Sequence, residues 1–75
     1  MRHQREELRR LFLNRPNQWI PLPEIMQFAA QYNARLFELR HKEGMVIENK
    51  TVVMAGVKHS WFMYKPEVIR EEVFI

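Results

Sequence analysis

The feature that most constrains this chain is a change of hydrophobic period at Gly44. Up to that point apolar side chains recur every three or four residues, the spacing of helices with one buried face. Beyond it, Met45-Val46-Ile47-Glu48 and Thr51-Val52-Val53-Met54 are rich in β-branched residues. His59-Ser60-Trp61-Phe62-Met63-Tyr64-Lys65 reads as a return strand, with a turn over Ala55-Gly56-Val57-Lys58. In 75 residues the helical and the stranded parts must share one core. There is no cysteine, so neither a disulfide nor a thiolate-bound metal can staple them together, and apolar burial has to suffice. With 47% apolar and 28% charged residues the chain is too apolar for disorder. No apolar run approaches the roughly 18 residues of a membrane span. Leu11-Phe12-Leu13 is too brief for the apolar part of a secretion signal. A soluble, cytoplasmic protein is expected.

The helical part divides into three. Leu8, Leu11 and Phe12 form one stripe and predict a helix over residues 2–13, closed by Asn14-Arg15-Pro16. Arg2, Arg5 and Arg9 share one of its faces, with Arg2–Glu6 and Glu6–Arg10 as the expected surface pairs. Trp19-Ile20-Pro21 is too short and too proline-bound for a helix and reads as a brief strand at a sheet edge. Pro23 and Glu24 suit the start of a second helix, whose inward face is Leu22, Ile25, Phe28 and Ala29 and which ends near Ala30. Asn33 is placed to cap a third helix over residues 34–43. Tyr32 and Phe37 then have the spacing of a hydrophobic staple, and Gly44 would end the helix in a left-handed turn.

Helices followed by a hairpin imply an α+β domain rather than a parallel α/β sheet. The economical packing sets the second and third helices as a helix-turn-helix, lays the hairpin against its side, and lets residues 19–20 add a third strand. That layout is a winged helix: a three-helix helix-turn-helix core with a C-terminal β-hairpin wing. It occupies residues 1–65, and residues 66–75 form a tail. Charge follows the same division. Through residue 65 there are eleven basic and six acidic residues, +5, whereas the tail sets Arg70 against Glu67, Glu71 and Glu72. A basic body suits a polyanionic partner, although many ordinary soluble domains share it.

Tyr32-Asn33-Ala34-Arg35-Leu36-Phe37-Glu38-Leu39-Arg40, followed by Gly44 and Ile47, resembles the core of small helix-turn-helix domains common in phage and prophage proteins. Gly56 through Tyr64 is similar to the wing of the same family, with Phe62 where a Tyr and Tyr64 where a Leu is usual. The resemblance spans roughly residues 19–64. The chain departs from it at Ala30-Gln31-Tyr32, which lacks the Gly often found between the two helices. The resemblance implies duplex DNA binding in transcription regulation or phage DNA transactions, with the 34–43 helix in the major groove and the 45–65 hairpin as wing.

On a helical wheel, Leu36 and Leu39 face the core, while Ala34, Glu38, His41 and Lys42 point away, with Arg35 and Arg40 on opposite flanks. The DNA-binding candidates are Gln31, Asn33, Arg35, His41 and Lys42 around the helix, and Lys50, Lys58 and His59 on the wing. Each has a plain structural reading as well. Asn33 can be a cap. Arg35–Glu38 and Glu38–Lys42 can be surface pairs, and the strand lysines can guard an edge. Glu38 in the middle of the outward face would repel phosphate, and Arg40 reads as a structural ion pair with a Glu of another helix.

Catalysis finds no footing. His59 and Ser60 are adjacent in a strand and face opposite ways. His3, His41 and His59 lack metal-ligand spacing, and no glycine-rich phosphate loop exists. No enzyme, cofactor, metal or small-molecule substrate is expected. The alternative to DNA binding is a winged helix used for protein interaction or as a homodimer. The two would be separated by salt dependence, steep for phosphate contacts and shallow for an apolar interface. Under that alternative the Trp61–Tyr64 strand and Val73-Phe74-Ile75 are the candidate interface.

Overall fold

The structure, a computed structural model, describes residues 3–67. Arg2 and the tail beyond Glu67 lie outside the described residues, and with them the Arg2–Glu6 pair and the Val73-Phe74-Ile75 interface. The chain forms an α+β domain with the order α1 (Gln4–Asn14), β1 (Ile20–Pro21), α2 (Leu22–Phe28), α3 (Tyr32–His41), β2 (Ile47–Met54) and β3 (Val57–Tyr64). The three strands make one antiparallel sheet in the order β1-β3-β2. Among the described residues no helix is long and apolar enough to cross a membrane.

The core follows the sequence pattern closely. Leu8 and Phe12 from α1, Ile20 from β1, Ile25 and Ala29 from the α2 region, and Leu36 and Leu39 from α3 are buried together. Met45, Ile47 and Phe62 close it from the hairpin side. Helix α1 touches α2, α3 and β3, so its apolar stripe is the element on which the others converge. Pro21 ends β1 opposite Trp61, and α2 begins at the next residue with Pro23 in its first turn, where a missing N–H costs nothing.

Two local expectations are corrected. The residue before α3 is Gln31, not Asn33, and no side chain caps the helix; the first bond runs from the Arg35 N–H to the Gln31 carbonyl, 3.2 Å. Tyr32 is therefore inside the helix, set edge-on to Phe62 at 6.3 Å between ring centroids, and forms no staple with Phe37. Burying the Tyr32 ring against the sheet extends the helix backwards past Asn33. The helix ends at His41, two residues early. Gly44, at φ 68°, then folds the chain back so that the Met45 N–H donates to the Leu39 carbonyl, 3.0 Å.

The hairpin turn is also tighter than residues 55–58. Met54 pairs with Val57, leaving a two-residue turn of Ala55 (φ 51°) and Gly56 (φ 76°). Positive φ at both central residues is the turn that matches strand twist, and it favours Asn-Gly over Ala-Gly. Ala55 sits in the left-handed region that costs an L-residue about 1–2 kcal/mol. Ala55→Asn should therefore stabilise the domain by about 0.5–1 kcal/mol, read as a higher urea midpoint at unchanged slope.

Candidate nucleic-acid interface

Helix α3 crosses the domain with Leu36 and Leu39 buried, Arg35 and Glu38 half-buried on the side of α1, and Asn33, Ala34, Phe37 and His41 exposed. The outward face thus differs from the wheel in its acid. Glu38 does not project into solvent at the centre; its carboxylate is ion-paired with Arg35, whose Nη2 donates to it at 3.4 Å, with Arg5 Nη1 at 4.0 Å. Arg5 reaches it because α1 packs along that flank of α3. Phe37 holds the central outward position instead, 58% exposed, with its ring against His41 at 4.4 Å between centroids.

Arg5 and Arg9 continue the same network. Arg5 Nε lies 3.3 Å and Arg9 Nε 2.8 Å from the Glu43 carboxylate, tying α1 to the chain just past α3. Arg9 and Arg10 also pair with Glu6, at 3.5 and 3.4 Å. Arg15 pairs with Glu24, and Lys65 with Glu48 at 3.4 Å. Much of the basic charge of the body is thereby matched locally, whereas Lys42 and Lys58 are exposed and carry no ion pair among the described residues.

Arg40 ties the end of α3 to the hairpin through the backbone. Its guanidinium donates twice to one backbone oxygen, from Nε at 3.1 Å and Nη2 at 2.7 Å to the Ile47 carbonyl. These bonds fix the end of α3 to the start of β2 and so set the hairpin's angle to the helix. Arg40→Met keeps the side chain's apolar stem and removes both charged bonds, and should cost about 2 kcal/mol. A urea midpoint equal to that of the unmodified chain would contradict this.

Strand register sorts the wing residues. Asn49, Thr51 and Val53 lie opposite Phe62, Ser60 and Lys58, on the sheet face toward α3. Lys50 and Val52 lie opposite Trp61 and His59, on the other face. The Lys50 ammonium sits 4.5 Å from the centre of the Trp19 ring and 5.1 Å from that of Trp61, and His59 lies against Trp61 at 6.2 Å. Two of the wing candidates, Lys50 and His59, therefore belong to an aromatic cluster facing away from α3.

What the fold does bring together is a groove of about 350 Å³ between the exposed side of α3 and the inner face of the hairpin. Asn33, Phe37 and His41 form one wall, Asn49 and Ser60 the other, with Phe62 beneath. Lys58 extends the same sheet face toward the hairpin tip, and Lys42 follows directly after α3. Gln31 and Arg35 instead border a separate polar recess with His3, Arg5 and Glu38, at the start of α3 beside α1. Sequence reasoning missed Phe37 and Asn49. Phe37 was assigned to a staple, and Asn49 stands opposite the core residue Phe62, a pairing that only the register reveals. Among the described residues no group of three or more His, Asp or Glu side chains is arranged to hold a metal ion.

No protein-family model matches this chain, and no curated protein and no solved structure matches it.

Proposed function

We propose that the chain is a winged helix domain that binds duplex DNA, with α3 in the major groove and the β2–β3 hairpin as the wing beside it. The observation that carries this reading is the withdrawal of Glu38. With that carboxylate held by Arg35 and Arg5, the exposed side of α3 presents Asn33, Ala34, Phe37 and His41 and no acid. A phosphate backbone meets no repulsion there. The element order, the strand order β1-β3-β2 and the resemblance of residues 19–64 to small phage helix-turn-helix domains support the same reading.

The side chains divide by the kind of contact they make. Lys42 and Lys58 flank the groove and reach phosphates, which orient the domain without reading sequence. Asn33 offers the donor and acceptor pair that matches adenine, His41 can donate to or accept from a base edge, and Phe37 suits a thymine methyl group. Lys50 and His59 are assigned to the aromatic cluster rather than to DNA.

The test is an NMR titration of labelled protein with a short mixed-sequence duplex at about 50 and 200 mM salt, where phosphate-driven affinity falls steeply. Shifts at Asn33, Phe37, His41, Lys42, Asn49 and Lys58 that weaken at the higher salt are expected. No shift at the lower salt would remove DNA from consideration.

A further inference from the structure

We infer that β2 is a self-pairing edge, and that two copies of the domain join through it as antiparallel strands about a twofold axis at Thr51. Among the described residues, the last strand in the order β1-β3-β2 has a neighbour on one side only. It runs in unbroken register with β3 from Ile47 to Met54, without bulge or proline, and Lys50, the lysine that could guard this edge, has its ammonium over the Trp19 and Trp61 rings. From Glu48 to Met54 every residue is exposed. The apolar ones are conspicuous: Val52, Val53 and Met54, with Val57 across the turn, are between 38% and 61% exposed.

The backbone shows which groups are open. A two-residue turn is flanked by a hydrogen-bonded pair, here Met54 with Val57, and bonded pairs alternate from there along an antiparallel ladder. Val52, Lys50 and Glu48 are thus bonded to β3, and the N–H and C=O groups of Val53, Thr51, Asn49 and Ile47 point outward. Two independent contacts agree with that alternation. The Lys65 N–H donates to the Val46 carbonyl at 2.9 Å, the next bonded position. The outward carbonyl of Ile47 is the one that Arg40 occupies.

Arg40 closes the open edge at one end, and the turn at Ala55 closes it at the other. What remains is Asn49, Thr51 and Val53, a set symmetric about Thr51. A second copy laid antiparallel with its Thr51 opposite this one matches Asn49 to Val53 in both directions and Thr51 to Thr51. Every open N–H and C=O of the three residues then finds a partner. One register to either side would call on the occupied Ile47 carbonyl or on Ala55 in the turn. The side chains accept this register. Lys50 falls opposite Val52 and Glu48 opposite Met54, so no like charges stand directly across, and the Thr51 side chains meet as a cross-strand pair. The exposed apolar side chains lose water in the process. Because the axis is normal to the sheet, both α3 helices lie on one face of the joined sheet. A foreign strand would gain the backbone bonds but not this register symmetry. The inference does not rest on DNA binding.

The contact is small, so the dimer is weak and must be sought at high concentration. Sedimentation velocity from roughly 20 μM to 1 mM should show the average mass rising from monomer toward dimer. Thr51→Pro removes an N–H that points away from β3, a position where an edge strand tolerates proline, and should raise the dimer dissociation constant roughly tenfold or more. Thr51→Lys leaves the backbone intact, sets two ammonium groups opposite each other at the axis, and should act in the same direction. Circular dichroism establishes that each variant is folded, and Thr51→Lys decides the matter should the proline variant unfold. A chain that stays monomeric at 1 mM overturns the inference, as does a dimer that Thr51→Lys leaves unchanged.

Discussion

Phe12→Ala should bring the domain to the edge of unfolding at 25 °C, with a sizeable unfolded fraction. Truncating a buried Phe to Ala costs about 3–5 kcal/mol, the sum of lost transfer free energy and an unfilled cavity. A chain of 75 residues has a total stability of about 4–11 kcal/mol at ordinary values per residue. A domain of this size lies toward the lower end, because it buries a smaller fraction of its surface than a larger one. Phe12 is also badly placed for repair. Its side chain is fully buried on the one helix that meets α2, α3 and β3, so no single neighbour can move in to fill the space without leaving another. Leu13, one residue on, is 41% exposed, and Leu13→Ala should stay within about 0.5 kcal/mol of the unmodified chain. Helical ellipticity and urea midpoints of the two variants make the comparison. Equal midpoints would mean that α1 is not the helix on which the core is built.

The helix α1 and its buried stripe were legible in the sequence, because Leu8, Leu11 and Phe12 keep helical spacing, but that the other elements converge on it was not. Also legible were the change to strands after Gly44 and the inward faces of α2 and α3. Periodicity reports burial against a common core, and burial dominates in a small domain. What escaped was decided by contacts between elements distant in sequence. Asn33 has a good cap side chain, yet the Tyr32 ring packs on Phe62 and draws the helix start past it. Glu38 lies outward on an isolated wheel, but Arg5 of α1 and its own neighbour Arg35 draw it aside. For Arg40 the sequence shows only candidate charges, and its two bonds to the Ile47 carbonyl oxygen at a strand edge could not be read from it. The lysines of the hairpin were indistinguishable until the register assigned Lys58 to the face toward α3 and Lys50 to the face bearing Trp61.

The division between those two lysines yields the second large effect. If Lys42 and Lys58 each neutralise one phosphate, the logarithm of affinity falls with the logarithm of salt at a slope of about −0.9 per contact. Between 50 and 200 mM salt that amounts to about a 12-fold loss for the unmodified chain. Reversing both charges, Lys42→Glu with Lys58→Glu, removes these contacts and sets carboxylates against phosphate, at an expected cost of roughly a hundredfold in affinity at about 50 mM salt. Neutralising them instead, Lys42→Ala with Lys58→Ala, should bring the salt slope close to zero and weaken all duplexes alike. Lys50→Ala should leave the slope unchanged, since its ammonium rests on Trp19 and Trp61 on the opposite sheet face. Asn33→Ala should also spare the slope, while losing about 1–3 kcal/mol of discrimination at a single base pair of a preferred site. Fluorescence anisotropy with a labelled duplex at several salt concentrations reads all four variants. A slope that follows Lys50 rather than Lys42 and Lys58 would move the DNA to the other face of the sheet and detach it from α3. A slope indifferent to all three lysines would mean that neither face binds phosphate.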